Sequence, residues 1–266
     1  MQDIEGMIGL GTLVNMALVL VGSTIGIAAK GRLKKKYQET IMNALGLAVM
    51  FIGISGALQG LLVVEENQLE TTNVMLMIIS LALGGFLGEW IDIEKRLDQF
   101  GEWIKKSLKV KGEKGNGFVE GFVNSSLLFC VGAMAIIGSL QDGLAGDPSM
   151  LIAKGIIDGV VAIFFASTLG IGVFFSIIPI FLYQGAITLS ATFIEPFLSD
   201  TLIRNISFVG SVLILGIGIN MIFGKKIKVG NLLPAVLVPI AYAILIKYLS
   251  NTYRKWIFLC GYAYIF

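Results

Sequence analysis

The chain has 266 residues, of which 56% are hydrophobic and only 14% charged, with a net charge of +2. Soluble domains carry about 25% charged residues, so these side chains cannot cover a globular surface, and the net charge is too small to suggest nucleic acid as a partner. The absence of histidine removes the usual zinc, haem and Ser-His-Asp chemistries together.

A helix that crosses the hydrocarbon core needs about 20 apolar residues. Candidate spans in chain order are 7–29, 42–64, 73–91, 118–140, 151–170, 173–194, 206–224 and 231–248. They predict an all-α, polytopic transmembrane helix bundle of about eight spans. Residues 1–250 form one integral membrane domain, and 251–266 an aromatic C-terminal tail. The first span follows Asp3 and Glu5 instead of a basic segment, which reads against a cleavable signal peptide.

The basic residues set the orientation. Lys30, Arg32, Lys34, Lys35 and Lys36 separate spans one and two; a second basic group, Lys95 to Lys114, lies between spans three and four; Lys225, Lys226 and Lys228 lie between seven and eight. The alternate loops carry acids, among them Glu65, Glu66, Asp142, Asp147, Glu195 and Asp200. Residues 30–40 and 92–117 are therefore expected in the cytoplasm, with both termini outside. Lys247, Arg254 and Lys255 run against this arrangement. Within 92–117, Ile93, Leu97, Phe100, Ile104 and Leu108 recur every three or four residues between charged faces. That is an amphipathic insertion, lying either on anionic lipid or on the protein's own bundle.

No charge occurs between Asp158 and Glu195. One helix of that length would run to roughly 54 Å against a core of ~30 Å. The run must break, and Gly170, Gly172 and Pro179 are the expected places. An apolar hairpin and a re-entrant segment both satisfy this constraint. Two hairpins also look related: "GSTIG" (22–26) and "GALQG" (56–60) match "GGFLG" (84–88) and "GSLQDG" (138–143) in order. Such glycine pairs let helices approach closely, inside one subunit or across a homo-oligomer face.

Polar residues inside apolar segments are the candidate site. Lys154 and Asp158 are four apart and share a helix face. Asp158 lies roughly 10 Å into its span, too deep for so short a side chain to reach water unaided. It contacts either a solute or ion, with Lys154 as counter-charge, or Lys154 alone in an interfacial salt bridge. Gln184 and Asn15 interrupt spans six and one, and a polar pocket is expected where spans one, five and six meet. Gln141 and Asp142 close the fourth span at the outer mouth. No cofactor and no metal site are expected. An enzyme is not expected either, because Lys154 has no serine at fixed spacing and Asp158 has no second intramembrane aspartate.

As an ordered set, "GTLVN", "LGLAVMFIGISGALQG", "FCVGAMAIIGSLQDGLAGD", "KGIIDG", "STLGIGVFFSIIPIFLYQGAITL" and "NLLPA" resemble the bacterial YqgA/YdfK-like membrane proteins, domain of unknown function 554. The resemblance runs to about residue 245. It implies a multi-pass protein of the bacterial inner (plasma) membrane, and it carries no catalytic residues over. Two functions remain open. One is a passive or ion-coupled transporter or channel for a small solute or ion, with no ATP-binding GxxxxGK[ST] in the chain. The other is a membrane scaffold or regulatory protein. The lipid bilayer is the partner in both.

Overall fold

The computed structural model describes residues 7–30, 35–65, 68–107, 117–130 and 132–245. The tail 251–266, and parts of the basic segments (31–34 and 108–116), lie outside the described residues. In chain order, α1 (Leu10–Lys30) and α2 (Lys35–Leu61) lead into a small antiparallel hairpin, β1 (Leu62–Glu65) with β2 (Gln68–Thr71). Then come α3 (Val74–Ile91), α4 (Ile93–Ser107), α5 (Gly117–Cys130), α6 (Ala133–Ala145), α7 (Ser149–Leu169) and α8 (Ile177–Leu189). A short α9 (Ala191–Ile194) precedes α10 (Asp200–Phe223) and α11 (Val229–Leu232), which continues as an apolar helical segment to Leu245.

The bundle is all-α apart from the hairpin. Five described helices are long and apolar enough to cross a membrane, or six if bent α5 and α6 make one span. The other two expected spans are shorter apolar helices, Phe174–Leu189 and Val229–Leu245.

Lipid tails are as apolar as leucine, so burial alone does not hold membrane helices together; close packing and interhelical hydrogen bonds do. The glycine pairs supply the packing. A Cβ on Gly22 of α1 would lie within 2.9 Å of the Gly159 carbonyl carbon, and one on Gly26 within 2.8 Å of the Ala166 methyl, so α1 and α7 touch backbone to backbone. On α2, Gly53 meets Leu215 of α10, and Gly56 meets Ser211. On α3, Gly84 and Gly88 receive Ala235 and Asn231 from the last segment. "GSTIG" and "GGFLG" thus perform the same task on two different partners. Between these seams the interior is filled by Val19, Phe129, Phe165, Phe208, Val209 and Ile217, none more than 1% exposed.

Two breaks shape the interior. The charge-free run does break at the expected glycines: Gly170 (φ 89°) ends α7, and Gly172 presses against the Phe118 backbone of α5. Pro179 instead sits in the first turn of α8, where a missing N–H costs nothing. The second break was not expected. α5 and α6 meet at 61°, with Gly132 at φ 147°, a conformation that favours glycine.

The amphipathic α4 lies against the bundle itself. A Cβ added at Gly101 would meet the Val119 side chain at 3.4 Å, and the Phe100 ring sits 6.0 Å from that of Phe122. At its start, the Glu94 N–H donates to Asn231 Oδ1 (2.7 Å), and the Gly230 N–H donates to the Glu94 carboxylate (3.2 Å). Asn231 Nδ2 also donates to Glu89 Oε2 at 2.6 Å, so one asparagine clasps α3 and α4. Lys225 pairs with Glu94 (2.6 Å) and Asp98 (3.4 Å), joining α4 to the basic segment after α10. Trp90 and Trp103 remain 79% and 61% exposed beside this rim, as interfacial aromatics do.

Candidate functional site

The break between α5 and α6 has a direct chemical consequence. The Phe129 carbonyl would normally accept the N–H four residues on, but that residue lies past the bend. Lys154 of α7 takes its place, donating from Nζ to Phe129 O at 2.7 Å. The same ammonium pairs with Asp158 one turn along α7. Both residues are buried, 6% and 7% exposed. An ionised group at the bilayer centre costs roughly 2.5–3.5 kcal/mol on the insertion scale, so the pair and its carbonyl partner explain how both charges are tolerated.

Asn15 of α1 lies against α7 at Gly155, between Lys154 and Asp158 in the chain. Asn15 Nδ2 donates to Gln184 Oε1 of α8 at 3.1 Å, with both side chains fully buried. The Lys154–Asp158 pair on α7 thus stands near the Asn15–Gln184 bond that joins α1 to α8. Asp142 and Gln141 stand apart from the pair, at the end of α6. The Gly11 N–H donates to Asp142 Oδ2 at 3.2 Å, with the amides of Gly9 and Thr12 beside it, so this carboxylate caps α1. A negative charge there also complements the helix dipole. Gln141 is half-buried, and its carbonyl accepts the Asp147 N–H.

Lys154 and Asp158 line a cavity of about 650 Å³. Its walls come from α2, the α5–α6 bend, α7 and α10, so Asn15 and Gln184 are not among its lining residues. Ser55, Gln59, Arg204, Ser207 and Ser211 supply its other polar groups. A second cavity of about 330 Å³ lies between α4, α5 and the end of α10, lined by Glu94, Asp98, Glu102, Glu120, Asn124 and Lys225 among others. Consecutive residues of α5 divide the two: Leu127 lines the second, Leu128 and Phe129 the first. Phe129 and Phe165, both fully buried and 6.5 Å apart between ring centroids, close the interior beside the bend.

Arg204 and Gln59 sit near the ends of their spans, where a polar residue is unremarkable, and a lone serine inside an apolar helix ordinarily bonds its own backbone, so the sequence singles out none of them. Asn220 also interrupts an apolar helix, α10, and its task is local. Its side chain accepts from the Lys226 and Ile227 amides (both 2.9 Å) and donates to Ile227 O (2.6 Å), pinning its own turn. Among the described residues, no group of three or more Cys, Asp or Glu side chains is placed to hold a metal ion.

The model of the family described as "Protein of unknown function (DUF554)" matches residues 10–244. The chain is 35% identical over 229 residues to "Uncharacterized membrane protein YdfK" of Bacillus subtilis (strain 168), covering 86% of this chain and 93% of that protein. It is 30% identical over 230 residues to "Uncharacterized protein YqgA" of Escherichia coli (strain K12), with the same coverage. No solved structure matches it. A match across nearly all the described helices, the bend and the buried pair included, makes this membrane protein a member of the DUF554 family.

Proposed function

We propose that the chain moves a small solute or ion across the bacterial inner membrane, passively or coupled to an ion, and catalyses no bond-making chemistry. In this reading the two shorter apolar helices complete eight membrane segments in two related hairpins and their partners, with the basic segments in the cytoplasm. The observation that carries the reading is the bent α5–α6 span between two cavities, with a buried lysine–aspartate pair at the bend. Interrupted helices with ionisable groups at membrane depth are how transporters expose backbone and charge to a solute. A protein that only scaffolds has no need of a 650 Å³ cavity beside such a pair.

The larger cavity carries Lys154 and Arg204 against the single Asp158, together with three serine hydroxyls. That excess of positive charge favours a small anionic or zwitterionic solute. The smaller cavity, rimmed by carboxylates, gives the path an opposite end of different charge. The Phe129–Phe165 contact lies where such a path would have to open.

The test is flux in proteoliposomes, comparing wild type with Asp158→Asn and Lys154→Gln, using small inorganic and carboxylate anions as probes. Anion flux in wild type that falls at least tenfold in folded variants supports the reading. Equal leak from wild type, variants and empty vesicles would leave the scaffold as the better description.

A further inference from the structure

α1, α6 and α8 meet in pairs, and each carries buried polar side chains at helical spacing. Thr12 and Asn15 are three apart on α1, Ser139 and Asp142 three apart on α6, and Gln184 and Thr188 four apart on α8, so each pair shares a face. Three contacts bring the faces together. Asn15 bonds Gln184, the Gly11 amide bonds Asp142, and Gly143 beside Asp142 lies against Thr188. All six side chains are at most 2% exposed.

Every one of them keeps a buried polar atom without a protein partner: Thr12 Oγ1, Asn15 Oδ1, Ser139 Oγ, Asp142 Oδ1, Gln184 Nε2 and Thr188 Oγ1. Native proteins leave few such atoms, and each calls for a physical reason. Turning over the Asn15–Gln184 amide pair changes little, because either orientation leaves one amide oxygen free. Hydroxyl, amide and carboxylate oxygens are hard donors, suited to hard cations. One carboxylate supplies one negative charge, part of it already answered by the amides of α1. Calcium takes six to eight oxygens, commonly from several carboxylates, and magnesium demands near-ideal octahedral geometry.

We infer that α1, α6 and α8 enclose a binding site for a dehydrated alkali-metal cation, sodium first among them, with Asp142 Oδ1 as its charged ligand and the Thr12, Ser139 and Thr188 hydroxyls around it. The site is distinct from the Lys154–Asp158 cavity, which neither Asn15 nor Gln184 lines. A cation there ties the start of α1 to α6 and α8, and binding is separate from the question of transport.

The experiment is a thermal melt of the purified full chain in lipid nanodiscs, titrating sodium, potassium or lithium chloride against choline chloride at constant ionic strength. A ligand that binds only the folded state raises the melting temperature in proportion to its occupancy. Sodium is expected to raise the midpoint of wild type saturably. Thr188→Val and Ser139→Ala, which leave the α1 cap intact, should each raise the half-saturating concentration about tenfold. Asp142→Asn abolishes the response where it folds, and exposed Asp200→Asn retains it. Two results would overturn the site: a wild-type midpoint indifferent to alkali cations, as expected if water alone fills the centre, or a full response in Thr188→Val and Ser139→Ala.

Discussion

Two of the lysine–carboxylate pairs among the described residues lie in opposite surroundings. Lys154–Asp158 lies inside the bundle, with side chains 8% and 9% exposed; Lys228–Glu89 lies on the rim, 60% and 58% exposed at 2.5 Å. On the rim, water competes for both groups and salt screens them, so such pairs contribute little. In the interior no water replaces a lost partner. The inner pair is therefore less an added source of stability than a condition for keeping either charge where it is.

The sharpest way to break this contrast is to remove half of the inner pair. Lys154→Met leaves Asp158 and the Phe129 carbonyl without their donor, and it should destabilise the protein by about 3–5 kcal/mol. Adding Asp158→Leu should recover much of that loss, as a chemical-denaturation double-mutant cycle in detergent would show. If Lys154→Met melts like wild type, the pair is not buried as described. Next in size is Asn231→Leu, which unties α3 from α4. Losing bonds to a carboxylate and to an amide should cost about 1.5–3 kcal/mol, and hydrogen exchange should rise in α4 while α7 stays protected.

Gly22→Ala follows, at about 1–3 kcal/mol, because the added methyl meets the Gly159 backbone, which cannot rotate away. Gly85→Ala is the matched control, since its methyl would meet only the Leu232 side-chain tip at 3.3 Å; its midpoint should shift less. The smallest effect belongs to the rim. The Glu89 hydrogen bond raises the Lys228 pKa above its ordinary value, with the Glu89 charge acting in the same direction. Its contribution is complete below the unfolded pKa and is lost as pH rises through the folded one. Lys228→Gln should therefore melt almost like wild type at neutral pH, and the gap should close further in alkali. A large neutral-pH loss would show that exposure is a poor guide to the worth of these pairs.

The same physical divide explains what could be read from the chain. Apolar length, basic loops and the glycine break at Gly170 are local, so the helices and one of the two bends were legible. The Asn15–Gln184 bond was legible too, because polar interruptions in apolar helices have few places to go, but the pocket expected between α1, α7 and α8 is not where the cavity lies. The bend at Gly132 was not legible. It lies in an apolar stretch without proline, and its freed carbonyl is answered by Lys154, 25 residues away. Nor could Asp142 be recognised as the cap of α1, whose first turn lies 131 residues earlier. An acid at the end of a span looks the same whether it faces water or a distant helix start. The cavity shifted for a related reason: α7 has two polar flanks, and the sequence does not tell which one closes on α1.

The glycine seams also impose an order of events on synthesis. α1, α2 and α3 find their main partners in α7, α10 and the segment around Ala235, all made much later. At about 5–20 residues per second, the groove on α3 waits roughly seven to thirty seconds for Ala235 to leave the ribosome. Until then its flat glycine face is open to lipid, to membrane chaperones and to the same face of a neighbouring nascent chain. A chain that stops before Ala235 would never close that groove, and quality-control proteolysis should remove it even though α1 to α10 are intact.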